Sequence, residues 1–146
     1  MNALLDFPVS AAVETDFNAD IDVDIDISSK GRAWVLRFKP DEDLIGGLLE
    51  FAVEQGATRL RMIGAVGSLM HATLVSTEGR TIRVDGPGVE IIGLSGQIDT
   101  RQPDGAKAAG LRMVVADTHG QVHSGCPAPG GNPICVTIEL FVQDCG

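Results

Sequence analysis

One short segment of this chain has the period of a helix, and nearly everything after it has the period of strands. Apolar pairs recur every four residues over about residues 44–53, and they are Leu44/Ile45, Leu48/Leu49 and Ala52/Val53. This spacing places them on one face of a helix. Asp41 is positioned to cap its start, and Gly56 is positioned to end it. With a single helix, the chain must build most of its core from strands.

The strand-like segments are separated by turn sequences such as Glu78-Gly79 and Pro103-Asp104-Gly105. One predicted strand, Ala33–Phe38, precedes the helix and ends before Pro40. The others cover about residues 59–66, 69–76, 80–84, 89–99, 110–116, 120–124 and 134–142. The predicted fold class is therefore α+β, a curved and largely antiparallel sheet packed on one main helix.

The N-terminal region differs from the rest of the chain in charge. Residues 1–26 hold seven acidic side chains and no basic one, which leaves 13 acidic and 11 basic side chains for residues 27–146. Within Asp20–Ile27 aspartate alternates strictly with isoleucine or valine, so a strand would present a row of carboxylates on one face. We predict an acidic extension with an added strand in residues 1–30, followed by one domain over residues 31–146. The carboxylate row fits a solvated face that discourages edge pairing, and the alternative is a site that attracts calcium.

Composition narrows the class of protein. A chain of 146 residues with 44% hydrophobic content can build one core, and it lacks the run of about 18 apolar residues that a membrane span needs. No basic, apolar leader of the secretory type begins the sequence, so a cytoplasmic location is expected. Its three cysteines have no Cys-x-x-Cys spacing, which argues against a disulfide framework and a zinc ribbon.

Three sequence blocks, in this order, are similar to motifs of the plants-and-prokaryotes conserved (PPC) domain. They are Gly31–Leu44, the glycine-rich Ile63–Leu74, and Val89–Gly96, which resembles the family's Phe-Glu-Ile-Leu-Ser-Leu-Ser-Gly run. A turn at Ala116-Asp117 and the closing Thr137–Leu140 extend the likeness to about residues 31–142. The chain therefore resembles a PPC domain, and the resemblance implies a small module that assembles as a homotrimer.

Two features of these blocks can be interpreted without the family. Gly64 and Gly67 flank an apolar pair and no helix start follows them, so we expect them to relieve crowding or permit a bulge rather than to bind phosphate. Glu90 sits among apolar residues, where a buried carboxylate needs a partner. It lies either on the solvent side of its strand or paired in a pocket or subunit interface.

Many prokaryotic members of the family carry a His-x-His pair before the Ala-Asp turn and a further histidine after it, a set suited to a metal ion. Aligned on Ala116-Asp117 and Gly120, these positions fall on Gly110, Arg112 and Cys126. We therefore predict no metal site and no other cofactor. Arg112 with Cys126 is suited to an anion or carboxylate instead, which makes this the preferred ligand-binding location.

The histidines suggest a second arrangement. On a strand, His119 and His123 share one face and Cys126 lies on the other, so surface histidines are favoured over a zinc site. His123 is the only nearby base for a cysteine nucleophile, and no catalytic residues are predicted. His71, which follows the glycine-rich turn, joins Glu90, Arg112, His123 and Cys126 as a ligand-binding candidate.

The leading hypothesis is an interaction module, a homotrimer that presents surfaces to other proteins or to a small anionic ligand. The resemblance adds a link to DNA and transcription, because plant relatives join the domain to AT-hook peptides and bacterial members are often described as DNA-binding. This chain has only Lys30-Gly31-Arg32 and no basic patch, so direct DNA binding is disfavoured. The alternative is a small-molecule binder or enzyme that uses a pocket between subunits.

Overall fold

A computed structural model describes residues 31–102 and 110–146, together with the backbone of residues 23–25. The elements, in chain order, are β1 (Val23–Ile25), β2 (Ala33–Phe38), α1 (Leu44–Glu54), β3 (Arg59–Val75), β4 (Thr81–Asp99), β5 (Arg112–Ala116), β6 (Val122–Pro127) and β7 (Ile134–Asp144). The fold of this part of the chain is thus dominated by strands, with one short helix. No helix among the described residues is long and apolar enough to cross a membrane.

The strands of the described residues form one antiparallel sheet in the order β1-β2-β7-β3-β4-β5-β6. The C-terminal strand β7 lies between β2 and β3, and β6 returns to pair with the end of β3 through Leu74↔Pro127 and Val75↔Cys126. This second pairing curls the sheet back on itself. The predicted largely antiparallel sheet with one helix is confirmed, although the described residues are mostly β rather than an even α+β mixture.

The helix is capped at both ends, although its N-cap is not the predicted residue. Asp43, not Asp41, is the N-cap, because its extended backbone lets Oδ2 accept from the Gly46 amide at 2.8 Å. Asp41 instead occupies a turn with a φ of 69°. At the other end Gly56 adopts a φ of 67°, and the amide of Ala57 donates to the carbonyl of Ala52. This is the glycine-terminated helix end that the sequence predicts.

Two pairs of predicted strands are single long strands in the structure. Residues 59–66 and 69–76 merge into β3, and residues 80–84 and 89–99 merge into β4. Bulges absorb the irregular residues: His71 pairs with Asp85 and Leu69 with Val89, so residues 86–88 oppose Met70 alone. The gap predicted between residues 84 and 89 is not a strand break, because Gly86 and Pro87 lie within β4, where a bulge tolerates the ladder hydrogen bond that proline cannot donate.

The added N-terminal strand is present in part. Val23–Ile25 pairs antiparallel with β2, placing Val23 opposite Val35. The remaining residues of the alternating segment, and all its side chains, lie outside the described residues, and so does the predicted row of carboxylates.

The core lies between α1 and one face of the sheet. Leu44, Ile45 and Leu48 of the helix are fully buried. The helix contacts β2 through an edge-to-face pair of Phe51 and Trp34, whose ring centroids are 5.3 Å apart. Side chains on the opposite face of the sheet are therefore not used to hold the helix.

Candidate functional site

A groove of about 230 Å³ lies where the end of β3 meets β5 and β6. Its lining residues, which define the Arg112 groove, are Ser76, Thr77, Arg112, Ser124 and Gly125. The sequence predicted Arg112 as a ligand-binding residue. It did not predict the two hydroxyl residues that follow β3, because they reach the groove only through the β3–β6 pairing.

Strand alternation aims the guanidinium of Arg112 away from the core. Met113 and Val115 are fully buried, whereas Arg112 is exposed. Ser124 is exposed on the neighbouring strand, and its register partner is Val114. Arg112 and Ser124 are therefore diagonal neighbours on the same face, within reach of a long side chain.

Gly125 allows β6 to approach β3 closely enough to form the groove floor. A Cβ atom at this position would lie 2.8 Å from the carbonyl oxygen of Val75 and 3.0 Å from Cβ of Leu74. Both neighbours are held in a strand, so neither can move aside cheaply. The floor of the groove is thus set by backbone packing.

Cys126 does not share this groove with Arg112 as a surface thiol. Its side chain is buried, and Sγ lies 3.9 Å from the carbonyl oxygen of Pro127. The three cysteines, all within residues 110–146, form no disulfide with one another. Hydroxyl groups, rather than the thiol, accompany the guanidinium.

His123 is paired with Asp117. Its Nε2 atom lies 3.0 Å from Oδ2 of Asp117, while Oδ1 of the same carboxylate accepts from the amides of His119 and Gln121. The hydrogen bond from His123, supported by those two amides, lowers the pKa of Asp117 below its usual value. The pair closes the turn between β5 and β6, which is a structural role for a residue predicted to bind ligand.

The five predicted ligand-binding residues do not form one site within a single chain. Glu90 is exposed on β4 opposite Ala116, as expected for the solvent side of a strand. Arg112 lies opposite Ser95, five residues further along β4, or roughly 16 Å at the usual rise of a strand. His71 is half-buried on β3 opposite Asp85, five residues from Glu90 in the other direction.

The residues at the positions of the family's histidines do not suit a metal ion. Gly110 supplies no side-chain ligand, Cys126 is buried, and the cation of Arg112 would repel a second cation. Across residues 31–102 and 110–146, no three His, Cys, Asp or Glu side chains come together in a way that could hold a metal. The chemistry of this location is that of hydrogen-bond donors.

A second feature is a set of apolar side chains on the face of the sheet opposite to α1. We call it the outer apolar face and define it by Ile63, Val66, Ile92 and Phe141, which are 56%, 66%, 56% and 40% exposed. Phe141 pairs with Gly64, two residues before Val66. The register Met62↔Gly96 and Ser68↔Glu90 places Val66 opposite Ile92.

Most arginines of the described residues are already paired with carboxylates. Ion pairs of 3.5 Å or less join Arg32 to Asp144, Arg37 to Glu139, Arg80 to Glu78, Arg83 to Asp85 and Arg101 to Asp99. Binding to a phosphate backbone depends on basic groups that can displace counterions. Five of the eight arginines in this part of the chain are therefore already paired with a carboxylate.

Comparison with known proteins points to one family. The family model described as Plants and Prokaryotes Conserved (PCC) domain matches residues 26–146. The chain is also 34% identical over 113 residues to the bifunctional protein GlmU of a Synechococcus strain, a match that covers 77% of this chain and 17% of that protein. The chain thus spans about a sixth of the curated relative.

Solved structures share the fold. A hypothetical protein from Salmonella enterica aligns with a TM-score of 0.67 and 22% identity, over 88% of this chain and 81% of the other. A plant- and prokaryote-conserved protein from Pyrococcus horikoshii aligns with a TM-score of 0.61 and 15% identity, over 88% and 84%. A protein from Bacteroides thetaiotaomicron, provisionally described as DNA-binding, aligns with a TM-score of 0.59 and 15% identity, over 77% and 78%. At these identities the likeness is one of fold alone.

Proposed function

Because the chain belongs to the Plants and Prokaryotes Conserved domain family, we propose that it is an interaction module that assembles as a homotrimer through its outer apolar face. The assembled module presents its remaining surfaces to protein partners. It has no catalytic role in this proposal.

The observation that carries the proposal is the exposure of Val66 and Ile92. They are 66% and 56% exposed on adjacent strands, with Phe141 of β7 close by on the same face. A contiguous apolar patch of this kind on a sheet favours a protein interface. We take a second copy as its occupant, because most soluble oligomers are homo-oligomers with closed symmetry.

The environment of the patch supports a specific contact. The ion pair of Arg37 and Glu139 crosses from β2 to β7 at 2.7 Å, and Glu139 lies directly opposite Val66. Protein interfaces usually have an apolar centre and a polar rim, and a polar pair beside exposed apolar side chains matches this arrangement. The apolar area provides the free energy of association, and the charges restrict its geometry.

The link to DNA in this proposal runs through protein partners. Some structures with this fold carry a provisional description as DNA-binding proteins, but five arginines of this chain are neutralised by carboxylates. The whole chain has a net charge of −9. Direct association with a polyanion is unfavourable under these conditions.

Sedimentation analysis tests the assembly. We expect the 15.3 kDa chain to sediment as a species of three times its mass, and Val66→Lys to shift it towards the monomer. Val53→Lys is the matched control, because Val53 is 68% exposed on α1, away from the outer apolar face. A monomeric wild type, or an unchanged mass for Val66→Lys, would overturn the proposal.

A gel-shift titration tests the role of DNA. No shift of a duplex is expected at about 50 mM salt, where electrostatic attraction is weakly screened. Binding at that salt concentration which weakens steeply as salt is raised would show direct contact with phosphates and contradict the proposal.

A further inference from the structure

We propose that the Arg112 groove binds a small oxyanion, and that phosphate or the phosphoryl group of a small molecule fits its donors best. The lining residues all come from one chain. A second copy is therefore not needed to supply its donors.

The charge of the groove is the first argument. Five other arginines of the described residues have a carboxylate within 3.5 Å. Among the residues that the structure describes, Arg112 has no such ion pair and no carboxylate lines the groove. A guanidinium presents a planar fork of donors that matches two oxygens of a phosphate or carboxylate.

The hydroxyl groups are the second argument. The amide of Arg80 donates to Oγ of Ser76 at 3.0 Å, which leaves the hydroxyl hydrogen of Ser76 to point elsewhere. Thr77 and Ser124 add exposed hydroxyls to the same lining. Three hydroxyl donors beside one guanidinium exceed what a planar carboxylate can use, whereas a phosphoryl group has enough acceptor oxygens for all of them.

The groove has a fixed floor and a small size. Gly125 is packed against the backbone of Val75 at a distance that no side chain tolerates, so the two strands that carry the donors keep their spacing. The volume of about 230 Å³ lies below the roughly 300–1,000 Å³ of pockets for drug-sized ligands. A small anion is the class of ligand that matches these dimensions.

The charge of Arg112 also disfavours a metal ion as the ligand. A cation site needs several lone pairs directed at one point, and here the central group is itself a cation. An anion gains Coulomb energy from the same group.

The test is a titration of ¹⁵N-labelled protein with sodium phosphate at constant ionic strength, followed by amide chemical shifts. We expect saturable shifts at Ser76, Thr77, Ser124 and Gly125, with acetate binding more weakly than phosphate. Arg112→Gln should weaken phosphate binding by about tenfold or more, since charged hydrogen bonds are lost. Arg61→Gln is the matched control, because Arg61 is an exposed arginine near the other end of β3.

Three outcomes would overturn the proposal. The first is the absence of shifts at these amides up to about 20 mM phosphate, far above the affinity of a built site. The second is equal binding by Arg112→Gln and the parent protein, with thermal unfolding showing that both are folded. The third is a response of the same amides to zinc chloride and not to phosphate.

Discussion

Nε2 of His123 lies 3.0 Å from Oδ2 of Asp117, and this contact closes the turn between β5 and β6. The carboxylate that holds the turn is therefore stabilised in its ionised form. Its contribution to the free energy of unfolding must then depend on pH. The hydrogen bond from His123 is the largest cause of the lowered pKa of Asp117.

Acid should destabilise the wild type through this carboxylate. Because the folded pKa of Asp117 lies below its unfolded value of about 3.9, its contribution is complete above that value and is lost as the pH falls through the folded pKa. Asp117→Asn should flatten this part of the profile of unfolding free energy against pH, measured by urea denaturation between about pH 2 and 6. Equal slopes for Asp117→Asn and the wild type would contradict the assignment.

Asp43→Ala should reduce stability by more than the loss of an ordinary helix cap. Its carboxylate accepts from the Gly46 amide and also from the amides of Gly130 and Asn132, which ties the 128–133 loop to the helix start. An N-cap alone is worth about 0.5–2 kcal/mol, and two further bonds to backbone amides bring the expected loss to about 2–4 kcal/mol. Glu50→Ala, an exposed change on the same helix, should cost under about 0.5 kcal/mol in the same urea titration.

Gly67→Ala should strongly destabilise the fold, whereas Gly93→Ala should be tolerated. At Gly67 the φ is 146°, and a Cβ would meet the carbonyl oxygen of Thr137 at 2.3 Å. Strain and a backbone clash together predict a loss above about 3 kcal/mol. At Gly93, in the neighbouring strand, nothing lies within 4 Å of an added Cβ. Thermal midpoints measured by circular dichroism should separate the two variants; similar midpoints would count against this explanation.

Phe51→Leu should weaken the contact between α1 and β2 and be visible in tryptophan fluorescence. Trp34 is the single tryptophan, is 3% exposed and meets the edge of Phe51. Loss of the aromatic contact and incomplete filling of its volume predict about 1–2 kcal/mol of destabilisation. Emission should shift to longer wavelength at a lower urea concentration than in the parent protein. An unchanged midpoint would show that leucine packs there equally well.

Local sequence signals predict where the helix and the strands lie, but not which of the predicted strands are continuous. The helix is predicted because its apolar period and Gly56 are both local signals. The cap is misplaced at Asp41, because the amides of Gly130 and Asn132 that also bind the Asp43 carboxylate come from a distant loop. The long strands β3 and β4 are missed as continuous units, since glycine and proline have the same sequence signature in a bulge as in a turn.

The candidate site is predictable only where it depends on one strand. Arg112 is singled out by aligning its strand with the family's His-x-His positions, but Ser76 and Thr77 enter the groove through the pairing of Val75 with Cys126, about 50 residues apart. A register of that kind is fixed by the packing of the whole sheet. The pairing of His123 with Asp117 is not predicted, because in the sequence Asp117 looks like a turn residue alone.

The position of β7 has a consequence for how the chain is made. Because Ile134–Asp144 lies between β2 and β3, the first half of the molecule cannot complete its sheet while the polypeptide is still growing on the ribosome. The facing edges of β2 and β3 stay unpaired until β7, about a hundred residues after β2, has been synthesised. During that interval the nascent chain has two open edges that will later be interior, which makes this the period in which a chaperone would protect it.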